Sequence, residues 1–115
     1  MCGITGFVGK NAIRNTMTGL KSLEYRGYDS AGIAYVNNKK IEIIKEEGKI
    51  ENLEGNLNYD LESRVAIAHT RWATHGQPDI KNCHPHLSNT QRFYVVHNGV
   101  VENFLKLKQQ LVSDG

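Results

Sequence analysis

Residues 64–69 constrain the fold more than any other segment. Their centre, Val65-Ala66-Ile67-Ala68, is apolar at both parities. Successive strand residues point to opposite faces, so this run predicts a strand in a sheet that is covered on both sides. Residues 4–8, between Gly3 and Gly9, predict a second short strand that ties the N-terminus into the sheet. Residues 31–36 and 41–45 flank Asn37-Asn38-Lys39-Lys40, whose composition is that of a turn, and together they predict a hairpin. A further strand is predicted at residues 93–96, just before Asn98-Gly99.

Helical periodicity accounts for much of the rest. Asn11 stands where a cap would start a helix, and Ile13, Met17, Leu20 and Leu23 follow at steps of four, three and three. Gly27 ends that helix at the latest. Ile50, Leu53 and Leu57 predict a short helix, and residues 102–112 an amphipathic one carrying Phe104, Leu105, Leu107, Leu111 and Val112. Residues 70–91 show no clear period, and a stretch of that length inside a small domain is usually functional. The fold class expected is α+β, with no repeat and no linker.

Composition excludes several classes. The 115 residues are 39% hydrophobic and 23% charged, enough for one domain with its own core and no obligatory metal or disulfide. Fourteen basic against twelve acidic side chains leave +2, too little to point to nucleic acid or an anionic membrane. No apolar run approaches the ~20 residues of a spanning helix, and no secretory signal is visible, so a cytoplasmic location is expected. Cys2 and Cys83 are not expected to pair in that compartment.

Three constellations bear on chemistry. Cys2 follows the initiator Met1, and trimming would leave one residue with both a thiol and an α-amine. An α-amine of pKa ~7.7–8.0 keeps a neutral fraction able to take a proton from a thiol of pKa about 8.5. The plainer alternative is an incidental buried cysteine. Arg71-Trp72-Ala73-Thr74-His75-Gly76 leaves the buried strand with a guanidinium suited to a carboxylate, an indole able to close over a small substrate, and polar groups at Thr74 and His75. A structural Arg beside a half-buried Trp explains the same letters. Asn98-Gly99 supplies a side-chain amide and a backbone N–H that can point at one oxygen, as acyl transfer needs, but it is also a common tight-turn pair. Cys83, His84 and His86 are potential zinc ligands, disfavoured because no second ligand pair accompanies them. Gly3, Gly6 and Gly9 match no phosphate-loop spacing.

Four blocks in order carry a family resemblance: Met1-Cys2-Gly3-Ile4-Thr5-Gly6, residues 23–34 around Glu24-Tyr25-Arg26-Gly27-Tyr28-Asp29-Ser30, residues 68–76, and residues 97–103 beginning His97-Asn98-Gly99. They resemble the class II glutamine amidotransferases over the whole chain. The form of the second block is similar to the glucosamine-6-phosphate synthase branch. The resemblance implies an N-terminal-nucleophile hydrolase fold, an α/β/β/α sandwich of antiparallel sheets, of which residues 1–115 make about the first half. The rest of the glutaminase domain and the sugar isomerase domains are expected to lie outside these residues. It also implies that Cys2 attacks the glutamine amide, that Asn98 and Gly99 form the oxyanion hole, that Arg71, Trp72, Thr74 and His75 bind glutamine, and that Arg26 supports the nucleophile. Trp72 is implied as the gate of a loop at 71–79. The implied product is ammonia, passed in the full-length enzyme to fructose 6-phosphate to give glucosamine 6-phosphate. A homo-oligomer is implied, with neither cofactor nor metal. The isolated 115-residue chain is expected to be inactive. The alternative is a non-catalytic remnant that at most binds glutamine or a partner.

Overall fold

The computed structural model describes residues 1–73, 77 and 79–115. Its main sheet is antiparallel, in the order β1-β4-β2-β3, from β1 (Gly3–Val8), β2 (Ser30–Asn37), β3 (Lys40–Glu47) and β4 (Val65–Arg71). Among the described residues the helices are α1 (Ala12–Ser22), α2 (Ile50–Gly55) and α3 (Phe104–Asp114), and a small ladder pairs β5 (His86–Leu87) with β6 (Tyr94–Val95). The class is α+β, as the sequence predicts. The run that is apolar at both parities becomes β4, an inner strand between β1 and β2.

Register sorts the side chains onto two faces. Thr5 and Ile33 both sit opposite Ala68, and Ile33 sits opposite Ile44, so these residues share one face with Ala66 and Tyr35. That face is the core: Ile13, Met17 and Leu20 of α1 and Ile50 and Leu53 of α2 pack there, each essentially without solvent exposure. Full burial of each such side chain stabilises the fold by about 1.5–3 kcal/mol relative to leaving it exposed. Two hydroxyls fix α1 on the sheet, Thr5 Oγ1 donating to the Thr16 carbonyl at 3.0 Å and Thr16 Oγ1 to the Ala66 carbonyl at 3.3 Å. The Lys21–Glu54 ion pair at 2.6 Å ties α1 to α2.

Boundaries depart from the sequence reading in physical ways. Asn11 precedes α1 with a left-handed backbone (φ 57°, ψ 41°), and its side chain makes no capping bond. The Ala12 N–H donates instead to the Ser63 carbonyl at 3.2 Å. Leu23 follows α1 as its C-cap. The hairpin turn contracts to Asn38 and Lys39, both at positive φ (50° and 64°), the pair of conformations that lets two residues join twisted strands. The strand expected at 93–96 pairs only over Tyr94–Val95. Residues 70–91 contain a 3-10 turn at Ile80–Asn82 and β5. The apolar residues of α3 remain well exposed, so its stripe does not reach the core.

The second face carries Ile4, Ile67, His69, Gly32 and Ala34 by strand alternation. Residues 83–85 cover it at Gly32, where an added Cβ would run into the His84 carbonyl. Farther along, Val8 is 82% exposed. The cover on both sides expected from β4 is therefore partial: α1 and α2 bury most of one face but leave Phe7 exposed, and on the other Ala34 is buried while Ile4 and Val8 are exposed.

Candidate active site

Pairing of β1 with β4 builds the site. Gly3 sits opposite Thr70, and its N–H donates to Thr70 Oγ1 at 3.1 Å, so Cys2 lies where β4 gives way to Trp72. The Trp72 N–H donates to Cys2 Sγ at 3.4 Å, and the thiol faces the Trp72 carbonyl at 3.9 Å. Both cysteines are free thiols, and Cys83 is buried with Sγ on the Asp79 carbonyl at 3.4 Å.

Asp29 clamps the exit of β4 from two sides. Its N–H donates to the Arg71 carbonyl, and its Oδ2 accepts from the Ala73 N–H, each at 2.7 Å. Arg71 itself is buried at 8% exposure, with Nη1 donating to the Gln77 carbonyl at 3.1 Å. The Trp72 ring is half exposed, and a methyl group added at Gly27 would reach van der Waals contact with it. Arg26 meets the N-terminus through its backbone. The Met1 ammonium donates to the carbonyls of Arg26 and Gly27 at 3.2 and 3.1 Å.

From the other side, Asn98 Nδ2 donates to the Cys2 carbonyl at 3.2 Å, bridging 96 positions of sequence. Asn98 Oδ1 lies 2.7 Å from His69 Nε2. Gly99 has φ 124°, a conformation that side-chain-bearing residues rarely adopt. Cys2, Arg71, Trp72 and Gly99 line one cleft of about 250 Å³, together with His69, Asn82, His84, His86 and His97. A larger recess of about 690 Å³ lies at the opposite end of the sheet, by Val36 and Val65, where Lys10, Arg14 and Arg64 are interspersed with Asp60 and Glu62. It contains neither Cys nor His and is not adjacent to Cys2.

Three of the cleft histidines, His69, His84 and His86, are shifted toward their neutral form. Burial pushes His69 and His86 below the usual imidazole range. Burial, reinforced by the charges that His69, His86, Arg71 and Lys45 carry or would carry, brings His84 down to about 4. The His84 ring stacks on His69 at 4.4 Å and 24°, and lies 4.4 Å from His86. Among the described residues no group of three His, Cys, Asp or Glu side chains is placed to hold a metal ion.

The structure thus brings Cys2, Arg71, Trp72, Asn98 and Gly99 together, with the Arg26 backbone at the N-terminus. Thr74 and His75 lie outside the described residues. Sequence reasoning passed over His69 and Asp29 as site residues. The signal for His69 was available, because it stands two positions before Arg71 and strand alternation puts both on one face.

Comparison with known proteins gives the family and the fold type. Residues 1–113 match the family model of the class-II glutamine amidotransferases. The chain is 50% identical over 115 residues to a glutamine--fructose-6-phosphate aminotransferase [isomerizing] of Bacillus subtilis, covering 99% of itself and 19% of that protein. It is 52% identical over 117 residues to the protein of that name from a Synechocystis strain, covering 100% of itself and 18% of the relative. It therefore spans about a fifth of the length of these curated relatives. Among solved structures, the glutamine phosphoribosylpyrophosphate amidotransferase from B. subtilis superposes with a TM-score of 0.80 at 30% identity, over all of this chain and 25% of that one. The allosteric regulatory enzyme of purine biosynthesis gives 0.82 at 31%, again over all of this chain and 26% of the other. These neighbours place the α+β fold in the N-terminal-nucleophile hydrolase type. With a family model matched from residue 1 to residue 113, this chain belongs to the class II glutamine amidotransferases.

Proposed function

We propose that residues 1–115 form the first part of a glutamine-hydrolysing domain that acts through Cys2 once Met1 has been removed. The observation that carries the reading is the convergence of Cys2, Arg71, Trp72 and Gly99 on one cleft from three distant parts of the sequence, with Asn98 hydrogen-bonded to the Cys2 carbonyl beside it. The freed α-amine takes the Cys2 thiol proton, and the thiolate attacks the side-chain carbonyl carbon of glutamine. The resulting oxyanion is met by the Gly99 N–H and by an N–H of Asn98. An amide nitrogen carries two protons, so one can hold the Cys2 carbonyl while the other serves the cleft. Collapse returns the proton to the departing nitrogen, ammonia leaves, and a γ-glutamyl thioester remains. Water then hydrolyses the thioester to glutamate and restores the thiol.

Arg71 pairs with the glutamine α-carboxylate, Thr74 and His75 complete that pocket, and Trp72 closes over the substrate. The Arg26 carbonyl supports the N-terminal residue. The name of the 50%-identical relatives supports fructose 6-phosphate as the ammonia acceptor, and the product on this reading is glucosamine 6-phosphate. On this reading the isomerase domains lie outside residues 1–115, and the full-length enzyme is a cytoplasmic homo-oligomer. Neither nucleic acid, membrane, cofactor nor metal enters this chemistry.

A glutamine-directed diazo-ketone applied to the intact protein, followed by peptide mass mapping, tests the assignment. Labelling at Cys2, abolished by Cys2→Ala, is expected. Labelling at Cys83 with none at Cys2 sinks it. The non-catalytic alternative is supported instead by retained Met1 with no ammonia released from glutamine.

A further inference from the structure

The geometry points to His69 as a positioning residue that fixes the rotation of the Asn98 amide, so that its N–H groups and not its oxygen face Cys2. This rests on the proposed glutamine-hydrolysing role of the site.

The argument starts from the Cys2 carbonyl, which only accepts hydrogen bonds. Its neighbour at 3.2 Å on Asn98 must therefore be the amide nitrogen. The amide oxygen is then the atom 2.7 Å from His69 Nε2, and an oxygen there requires Nε2 to carry a proton. The neutral ring consequently has its lone pair on Nδ1, and Nδ1 is a buried atom that meets no hydrogen-bond partner. The opposite tautomer would present a lone pair to Asn98. The amide would turn over and set its oxygen against the Cys2 carbonyl, an unfavourable pair of acceptors that also points negative charge toward the developing oxyanion.

His69 is itself held in place. It is 1% exposed on β4, an inner strand, and the His84 ring stacks on it. His84 Nδ1 in turn accepts from the His97 N–H at 3.2 Å. Two stacked imidazoles thus secure adjacent residues, His69 the Asn98 side chain and His84 the His97 backbone. Catalysis by a fixed donor depends on its pointing at the oxyanion before charge develops, since a donor that must rotate first spends part of its stabilisation on reorganisation.

Two measurements decide the matter. Long-range proton–nitrogen spectra of the 15N-labelled chain should show His69 as the Nε2–H tautomer, and an Nδ1–H tautomer overturns the proposal. In the intact protein, His69→Leu should lower kcat for glutamine hydrolysis about tenfold to a hundredfold with KM nearly unchanged, by comparison with loss of an oxyanion donor. His69→Gln, which keeps a donor near the Nε2 position, should recover most of the rate. Alkylation of Cys2 by iodoacetamide passes through no oxyanion and should stay at the wild-type rate in both variants. Normal alkylation with an undiminished kcat in His69→Leu overturns the positioning role alone. Failure of the diazo-ketone to label Cys2 in the wild-type protein overturns the catalytic reading, and the tautomer then still decides the Asn98 geometry.

Discussion

His84 carries a pH dependence that is worked out from its surroundings. Its folded-state pKa is about 4, against about 6.5 in an unfolded chain, because burial and the neighbouring His69, His86, Arg71 and Lys45 all disfavour its charge. Between those values the unfolded state binds the proton and the folded state does not. Stability therefore falls as pH drops from about 6.5 toward 4. Burial shifts His69 and His86 in the same direction, so they add to the slope. Glu54, whose pKa is lowered chiefly by its hydrogen bond from Lys21, loses its contribution only at still lower pH. Urea midpoints should decline from pH 7 to pH 5, and His84→Gln should flatten the decline; an unchanged slope would contradict the assignment. Residues of this kind are hard to read in a sequence. Cys2, Arg71 and Asn98 announce themselves by reactive groups in distinctive blocks, whereas the role of His69 depends on a partner 29 positions away.

At the scale of elements, β2 shows how a missing side chain shapes the site. In a mid-strand position, Gly→Ala ordinarily stabilises by about 0.4–1 kcal/mol through the unfolded chain. At Gly32 the new methyl would meet the His84 carbonyl and the Pro85 ring, and overpacking of that kind costs about 1–3 kcal/mol. The second effect is the larger, so Gly32→Ala should lower the urea midpoint and separate His84 from His69; a rise in the midpoint would show that residues 83–85 yield freely. The β2–β3 hairpin, α1 and β4 were legible because period and turn chemistry act locally. The left-handed Asn11 and the short β6 were not, since both depend on pairing with distant backbone. The stripe on α3 was read correctly as amphipathic, but period alone does not say what a stripe packs against.

As a whole, the molecule is a sheet with one face more deeply packed than the other. The core side packs against α1 and α2, the other side leaves Ile4 and Val8 exposed, and α3 presents apolar residues outward. The first residue belongs to the same large-scale picture. Met1 is 66% exposed, yet its ammonium is held by two carbonyls 25 and 26 positions along the chain. Those acceptors do not exist near it until Arg26 and Gly27 have folded into place. Residues are made in order, so the terminus is free early and clasped later. Aminopeptidase treatment should accordingly release Met1 readily from the urea-unfolded chain and much more slowly from the folded one, with intact mass as the readout; equal rates would show that the clasp does not restrain the terminus. If the nucleophile works through its own amine, the same two carbonyls that order the terminus also slow the step that frees it, so trimming before folding is the faster route to a competent Cys2.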